Sequence, residues 1–400
     1  MKNCKFSLIL FCVLSLLILP SCRNEDISTE HPNYSTTTAL PENSDNTPTY
    51  ELTSEISLGA TTYDVAPENT LIINRMLTDN VYIDTEVLLP SSEIASYIIC
   101  RNVYSPEFLS DVFNQDSSLS VTSSADDPVG FTASTSDGAL FYQEYYTLKY
   151  TYSRQDNEIA DVLRNYTKNT ASYNNADFSE FSRERALAVA ESVFDTLNVL
   201  GIPKTECFIG LSHDEISDYQ MELMQNEGYA YFVDIGKTLR LDNLSHTDDA
   251  YYFWFTFNLN GISIIDTNTT PYLNVSFFDI FPPTVCAELV VTREGVKYFY
   301  MYGSFREKGV SEMSPMLPFD SILDEATKKY ELQIVTNTML FIGAQLEYLY
   351  VPNISGIDND LILTPYWRLD FRTDIGGRGE NIIYADRFNA FTGEDYAYGG

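Results

Sequence analysis

Three histidines supply the imidazole groups of this 400-residue chain. A hydrolase of the serine type needs one histidine held in place beside a carboxylate. His31 lies in a polar N-terminal stretch, His213 in the first turn of a predicted helix, and His246 in a polar loop. None of them sits in an apolar context that would position it, and the sequence contains no Gly-x-Ser-x-Gly, His-Glu-x-x-His or Walker pattern. The sequence therefore does not predict histidine-based catalysis.

Carboxylates are abundant, with 57 Asp and Glu residues, and a glycosidase needs only two that face each other. With so many, the sequence singles out no pair. Asp358-Asn359-Asp360 offers oxygen ligands for Ca²⁺ but lacks the glycine and distal Glu of an EF-hand, so a solvated loop is favoured. The run 376–379 is Gly-Gly-Arg-Gly, yet it lies between predicted strands rather than before a helix, which favours a turn over a phosphate loop. We predict no catalytic residue, cofactor or metal site.

Cys22 has a chemical role that the sequence predicts. It ends the tetrapeptide Leu19-Pro20-Ser21-Cys22, which fits a bacterial lipobox: apolar at −3, small at −1, then the cysteine that accepts a lipid. Lys2 and Lys5 and a short apolar run precede it, as in a secretory signal. The run has roughly 14 residues, fewer than the ~20 of a membrane-spanning helix. An ordinary signal peptide with an incidental cysteine is the alternative.

The remaining cysteines of the predicted mature chain differ from Cys22. Cys100, Cys207 and Cys286 are widely spaced, odd in number and each set in an apolar stretch. No Cys-x-x-Cys spacing indicates zinc, and no pairing pattern indicates a disulfide framework. We expect three buried free thiols.

The charge balance excludes some classes of partner. Lys and Arg number 24 against 57 acidic residues, a net charge of −33. Nucleic acids and anionic lipids are recognised through basic patches, so we expect neither as a ligand.

Composition and element signals divide the chain into five segments. Residues 1–21 form the predicted lipoprotein signal peptide, and the polar residues 22–50 contain too little apolar surface to order, which predicts a flexible stalk. Beyond them, alternating helix and strand signals predict an N-terminal module (51–175), a middle module (176–315) and a C-terminal module (316–400).

Local signals place several elements. Helices are predicted after the caps Ser105 and Ser182, the latter ending at Gly201, and after the capping box that begins at Ser212. A hairpin is predicted from Phe131–Thr135, with a single long second strand over residues 140–152.

The C-terminal region predicts a three-stranded ladder. Its strands cover residues 344–351, 364–371 and 382–388, preceded by a helix capped near Asp320 or Ser321. In the middle strand one face carries Trp367, Leu369 and Phe371, and the other carries Tyr366, Arg368, Asp370 and Arg372. The predicted class is α+β: antiparallel sheets, each packed with one or two helices, in two or three diverged modules.

These C-terminal segments carry a resemblance. Residues 348–352 (Tyr-Leu-Tyr-Val-Pro), 365–371 (Pro-Tyr-Trp-Arg-Leu-Asp-Phe) and 389–394 (Asn-Ala-Phe-Thr-Gly-Glu) resemble the last unit of surface proteins with PepSY-like or YycH/YycI-like modules. The whole chain resembles uncharacterised bacterial lipoproteins. The resemblance implies a closing turn after the last strand and a role in binding envelope proteins, such as sensor kinases or peptidases, without catalysis.

The sequence thus predicts a lipid-anchored protein on the extracytoplasmic face of a cell membrane. Its expected role is non-catalytic binding of, or regulation through, another envelope protein or peptide. A surface hydrolase that uses two carboxylates, acting on glycans, is the alternative.

Overall fold

The computed structural model describes residues 70–90, 94–115, 118–125, 127–144, 146–265, 285–312, 314–332, 339–352, 360–374 and 381–396. All of these belong to one compact unit, Ser57–Gly400. The predicted signal peptide and stalk, His31 and the glycine-rich run 376–379 lie outside the described residues.

Sixteen strands and six helices lie within the described ranges. The strands are β1 Thr70–Thr78, β2 Val81–Leu88, β3 Ser96–Arg101, β4 Leu119–Ser123, β5 Phe131–Thr135, β6 Leu140–Glu144, β7 Thr147–Thr151, β8 Ile202–Leu211, β9 Ala250–Leu259, β10 Ile262–Ile265, β11 Cys286–Thr292, β12 Gly295–Tyr302, β13 Phe305–Glu312, β14 Met339–Pro352, β15 Leu361–Asp374 and β16 Asn381–Asn389. The helices are α1 Pro106–Val112, α2 Arg154–Asn169, α3 Arg183–Leu197, α4 His213–Leu223, α5 Glu227–Asp234 and α6 Phe319–Leu332.

All sixteen strands join one hydrogen-bonded sheet, which confirms the mixed α+β class. The sheet is not purely antiparallel, because β14 pairs in parallel with both β10 and β2. Strand pairs also cross both predicted module boundaries: β12 pairs with β7 across residue 175, and β14 with β10 across residue 315. The predicted modules therefore do not hold separate sheets.

Helices cover both faces of the sheet around β9. The residues Ala250 to Asn258 are all buried, so this strand has no solvent face. On one face, Ile159, Val162 and Leu163 of α2 pack with Tyr252 of β9. On the other, aromatic contacts join Phe194 of α3 to Phe255 and Phe257, with ring centroids 5.0 and 5.2 Å apart. A strand that is buried on both faces usually has a nearly continuous apolar sequence, and β9 has one from Ala250 to Phe255.

The helix after Ser182 forms as predicted but ends earlier than predicted. The Ser182 hydroxyl accepts a hydrogen bond from the Arg185 N–H, and the helix ends at Leu197, with Asn198 in the left-handed region (φ +49°). Gly201, the predicted stop, lies beyond the helix at φ +88°. A Cβ atom there would lie 2.8 Å from the Asn258 carbonyl oxygen, so glycine is required by the close approach of β9 and not by the helix end.

Two of the other local predictions are confirmed and one is wrong. The Ser105 cap and the reciprocal capping box of Ser212 and Glu215 are both present. The single long strand predicted over residues 140–152 is wrong, because the chain reverses after Glu144 and β6 and β7 pair with each other antiparallel. Propensity alone does not reveal this reversal, since both β6 and β7 contain residues that favour strands.

The C-terminal ladder forms and is longer than predicted. Helix α6 covers one face of β14 and β15, where the ring of Phe319 meets the edge of Trp367 at a centroid distance of 4.7 Å. The closing turn forms as the sequence predicts. The Asn389 side-chain oxygen accepts from the N–H groups of Phe391 and Thr392, and Gly393 adopts φ +74°.

Candidate functional sites

Cys22, the predicted lipid acceptor, lies outside the described residues. The three cysteines that the structure describes, Cys100, Cys207 and Cys286, are buried, as predicted, and no disulfide joins any two of them. Burial raises the pKa of the Cys207 thiol to about 12. A thiol with such a pKa is protonated at neutral pH and is a poor nucleophile.

His213 is the histidine that the structure places beside carboxylates. Asp249 accepts hydrogen bonds from both the His213 backbone N–H (2.8 Å) and its ring Nδ1 (2.7 Å). The ring's Nε2 lies 3.6 Å from an Asp214 carboxylate oxygen. The hydrogen bond to Asp249 raises the pKa of His213. His246, in contrast, is exposed.

This pair does not have the geometry of a general base. A catalytic histidine oriented by an aspartate needs its second nitrogen free to take a proton from a nucleophile. In His213 that nitrogen faces Asp214, and the flanking carboxylates favour the charged form. Because Asp249 immediately precedes β9 and His213 begins α4, the pair ties the start of this helix to the sheet.

A buried ionic network lies on the ladder face opposite Trp367. Arg387 of β16 donates through Nε to Glu347 of β14, which is 0% exposed. Arg368 of β15 donates through Nε to Asp370 at 2.7 Å, and its Nη1 lies 3.9 Å from the second Glu347 oxygen. That oxygen has no hydrogen-bond partner among the described residues. The network thus joins three neighbouring strands through two arginines and two carboxylates.

The network contains two carboxylates, Asp370 and Glu347, that could be considered as a catalytic pair. Burial raises the pKa of Asp370, partly offset by Arg368, and Glu347 lies beside the two arginines. A raised pKa beside an ionised partner is what a general acid requires. Asp370 is only 4% exposed and Glu347 is fully buried, so a glycosidic bond has no access to either carboxylate in this conformation. We assign this network a structural role.

A second buried ion pair lies under α2. Arg164 donates through Nε to Glu288 of β11 at 2.8 Å, and its Nη2 lies 3.1 Å from the Tyr298 hydroxyl. The Tyr252 hydroxyl nearby has no hydrogen-bond partner among the described residues, and burial raises its pKa well above the ordinary value. Arg164 and Glu288 are 124 positions apart in sequence, so no local pattern indicates their contact.

The residues considered for Ca²⁺ do not form a site in the described part of the chain. Asp358 and Asn359 lie outside the described residues, and both carboxylate oxygens of Asp360 lie 2.8 Å from the Lys308 ammonium. Across the described ranges, no group of three or more His, Cys, Asp or Glu side chains is placed to hold a metal ion.

Strand β4 lies at one end of the sheet, with an edge that none of the described strands covers. Strand β4 pairs with β5, and no other described strand pairs with it. The Ser124 N–H donates to the Gly130 carbonyl, so the alternation of an antiparallel pair turns the backbone groups of Leu119, Val121 and Ser123 outward. Natural proteins usually protect such an edge with charges, proline or a bulge, and residues 118–124 contain no charged residue and no proline.

The surface beside this edge carries Val121 and the hydroxyl groups of several Ser and Thr residues. Val121 is 47% exposed, and Ser120 and Thr122 pair across the ladder with Ser134 and Thr132. A shallow depression of about 190 Å³ lies beside them, lined by Ser118, Leu119, Ser120, Ser134, Thr135 and Ser136.

Comparisons with known proteins give no function. No family model matches the sequence, and no curated protein matches it. Among solved structures, an uncharacterized protein from Eubacterium rectale ATCC 33656 matches with a TM-score of 0.48 and 14% identity, over 82% of this chain and 93% of that chain. A likeness at this level carries no activity or ligand over to this chain. None of the described helices is long and apolar enough to cross a membrane.

Proposed function

We propose that this chain is a lipid-anchored extracytoplasmic protein of the cell envelope that binds an extended segment of another envelope protein or peptide. The anchor is the diacylglycerol group on Cys22, after removal of residues 1–21 as a signal peptide. The binding role rests on the open edge of β4. The proposal keeps the three modules predicted from the sequence. They are taken as diverged copies of one unit that now share a single sheet.

Strand addition is the binding mode that this edge supports. An extended peptide beside β4 would pair with the outward backbone groups of Leu119, Val121 and Ser123, and main-chain hydrogen bonds would supply affinity. Because residues 118–124 carry no charge, the edge neither repels nor selects a peptide with charged side chains. Side chains of the peptide that face the Ser/Thr surface would supply specificity.

The anchor predicts a simple result for Cys22→Ser. This variant should be released from the membrane fraction or should fail to mature, because the lipobox cysteine is the only lipid acceptor that the sequence indicates. Fractionation of cells followed by mass spectrometry of the N-terminus measures both. A normally cleaved Cys22→Ser product that stays with the membrane would contradict the anchor.

The strand edge predicts a contrast between two substitutions of Val121. Val121→Pro removes an N–H that points away from β5 and should abolish strand addition. The hydrogen bonds between β4 and β5 should remain, because they do not use the Val121 N–H. Val121→Thr keeps both the N–H and the strand propensity, so it should bind like the wild type. A photo-crosslinker placed at Thr122 on intact cells reports the contact.

We expect adducts from the wild type and Val121→Thr, and at least a roughly tenfold loss for Val121→Pro, since tenfold corresponds to about 1.4 kcal/mol of lost binding. Circular dichroism of each variant checks that the fold is retained. Equal adduct yields from Val121→Pro and Val121→Thr would rule out strand addition at β4 without affecting the anchor.

A further inference from the structure

Helix α5 is apolar and yet lies at the surface. Between Glu227 and Asp234 its sequence is Gly-Tyr-Ala-Tyr-Phe-Val, and none of its residues is buried. Every other described helix for which burial is given contains buried residues. An apolar helix that buries nothing within its own fold is typical of a contact surface.

The helix is fixed in place, so its exposure is a property of the fold. The Tyr229 hydroxyl, on its inner side, donates to Glu158 of α2 at 2.9 Å and accepts from Gln220 of α4 at 3.2 Å. At its end, the Phe232 carbonyl accepts from the Lys237 N–H at 2.9 Å, and Arg154 donates to the Gly236 carbonyl. These bonds hold the outer side of α5 toward solvent.

Three side chains form the outer surface, which we call the α5 patch: Tyr231, Phe232 and Ile235. They are 59%, 45% and 45% exposed. Ile235 is the residue that caps the C-terminal end of α5, and it lies four positions after Tyr231 and three after Phe232, which places all three on one side at this end of the helix. The Lys237 ammonium lies 5.8 Å from the centroid of the Phe232 ring, at the border of the patch.

The chemistry of the α5 patch fits a lipid surface. Tyr and Phe with an aliphatic residue and a bordering Lys are the side chains that sit at the boundary between headgroups and acyl chains. The chain as a whole carries a net charge of −33, which anionic surfaces repel. Around the patch, however, Arg154 and Lys237 lie at the end of the helix, and a zwitterionic headgroup layer carries no net charge that would repel the acidic chain.

The proposed anchor makes such a contact feasible. Between Cys22 and Ser57 there are 34 residues, which span at most about 120 Å when fully extended. A folded unit of this size has a radius of gyration of only about 20 Å, so the length of this segment allows any face to reach the membrane. The surface chemistry therefore decides which face rests there, and a tethered domain needs only a weak contact.

We propose that the α5 patch rests on the zwitterionic surface of the membrane to which the chain is anchored, with Tyr231, Phe232 and Ile235 inserted at the headgroup boundary. This inference rests on the proposed lipid anchor. It assigns one face of the folded unit to the membrane.

Quenching by brominated lipid tests the contact in the intact lipidated chain. Tyr231→Trp places an indole in the α5 patch, and Tyr173→Trp places one at a site of matched exposure (57%) on another part of the surface. The native Trp254 and Trp367 are 7% and 1% exposed and contribute the same background to both variants. Vesicles contain phosphatidylethanolamine and phosphatidylcholine, with or without bromine on the acyl chains.

We expect brominated lipid to reduce the emission of the indole introduced by Tyr231→Trp about twofold, as for a ring inserted some 5–10 Å into the boundary. The emission of the indole introduced by Tyr173→Trp should stay unchanged. Adding Ile235→Asp to the Tyr231→Trp chain should abolish the quenching. A vesicle-bound Tyr231→Trp chain whose new indole is unquenched, or is quenched no more than that of Tyr173→Trp, overturns the contact alone. A chain that does not float with the vesicles overturns the anchor, and the contact with it.

Discussion

We expect Trp367→Ala to lower the free energy of unfolding of residues 57–400 by about 3–5 kcal/mol, the range for emptying a large buried aromatic site. Trp367 is 1% exposed, and its ring meets that of Phe319 from α6 edge to face. Truncation therefore leaves a cavity between the helix and the ladder, in addition to the lost transfer free energy. Urea denaturation followed by circular dichroism measures the change.

Two variants separate cavity formation from other effects. Trp367→Phe keeps most of the ring and removes the Nε1–H group, which has no partner among the described residues, so it should cost much less than Trp367→Ala. Leu332→Ala removes an aliphatic group that is 88% exposed at the end of α6, and should change stability by no more than about 0.5 kcal/mol. If Trp367→Ala were as stable as Leu332→Ala, the assignment of Trp367 to the inner face of the ladder would be wrong.

Short-range chemistry was enough to predict this part of the fold. The alternation in β15 places Trp367 and Leu369 together on the α6 side, where both are buried. The resemblance implied the turn that closes the ladder, and the turn's geometry is local: the Asn389 side chain accepts backbone N–H groups and Gly393 has a positive φ. The same holds for the Ser105, Ser182 and Ser212 caps.

Two helices were not predicted, for opposite reasons. Helix α2 buries Ile159, Val162 and Leu163, but these lie within a mostly polar run, so the apolar stripe is narrow. The signal that was available is the cap at Ser153, whose hydroxyl accepts from the Asp156 N–H. Helix α5 is apolar between its terminal residues Glu227 and Asp234, and therefore lacks the polar face that marks an amphipathic helix at the surface.

The polar sites could not be predicted, because their partners are far apart in the chain. Arg164 and Glu288 are separated by 124 positions, and His213 and Asp249 by 36. With 57 acidic residues in the sequence, an arginine has many possible partners, and only the strand order determines which one it meets. The alternation in β15 places Arg368 on the face opposite Trp367, but it does not reveal whether that face is covered. Arg368 in fact contacts Asp370, which is 4% exposed, so the second face is covered as well.

Glu347→Gln, the second large effect, should lower the free energy of unfolding by about 3–5 kcal/mol, as for removal of one partner from a buried ion pair. Glu347 is 0% exposed and lies between Arg368 and Arg387, which are directly opposite each other across β15 and β16. The amide is nearly the same size as the carboxylate, so the change removes charge without making a cavity. Asp370 still pairs with Arg368, but the Arg387 guanidinium loses the Glu347 carboxylate in a poorly solvated place, opposite a second guanidinium on the neighbouring strand.

The matched control is Glu325→Gln on the exposed side of α6. Glu325 pairs with Lys328 at 2.7 Å, but the two side chains are 42% and 64% exposed, so its loss should cost no more than about 1 kcal/mol.

A second arm replaces the network itself: Glu347→Leu with Arg387→Met should recover much of the loss, because a buried ion pair and an apolar pair of similar volume often differ little in stability. Salt should weaken the effect of Glu325→Gln and leave that of Glu347→Gln nearly unchanged, since buried charges are poorly screened. Equal costs for Glu347→Gln and Glu325→Gln would show that water reaches Glu347, and its carboxylate would then again be a candidate for chemistry.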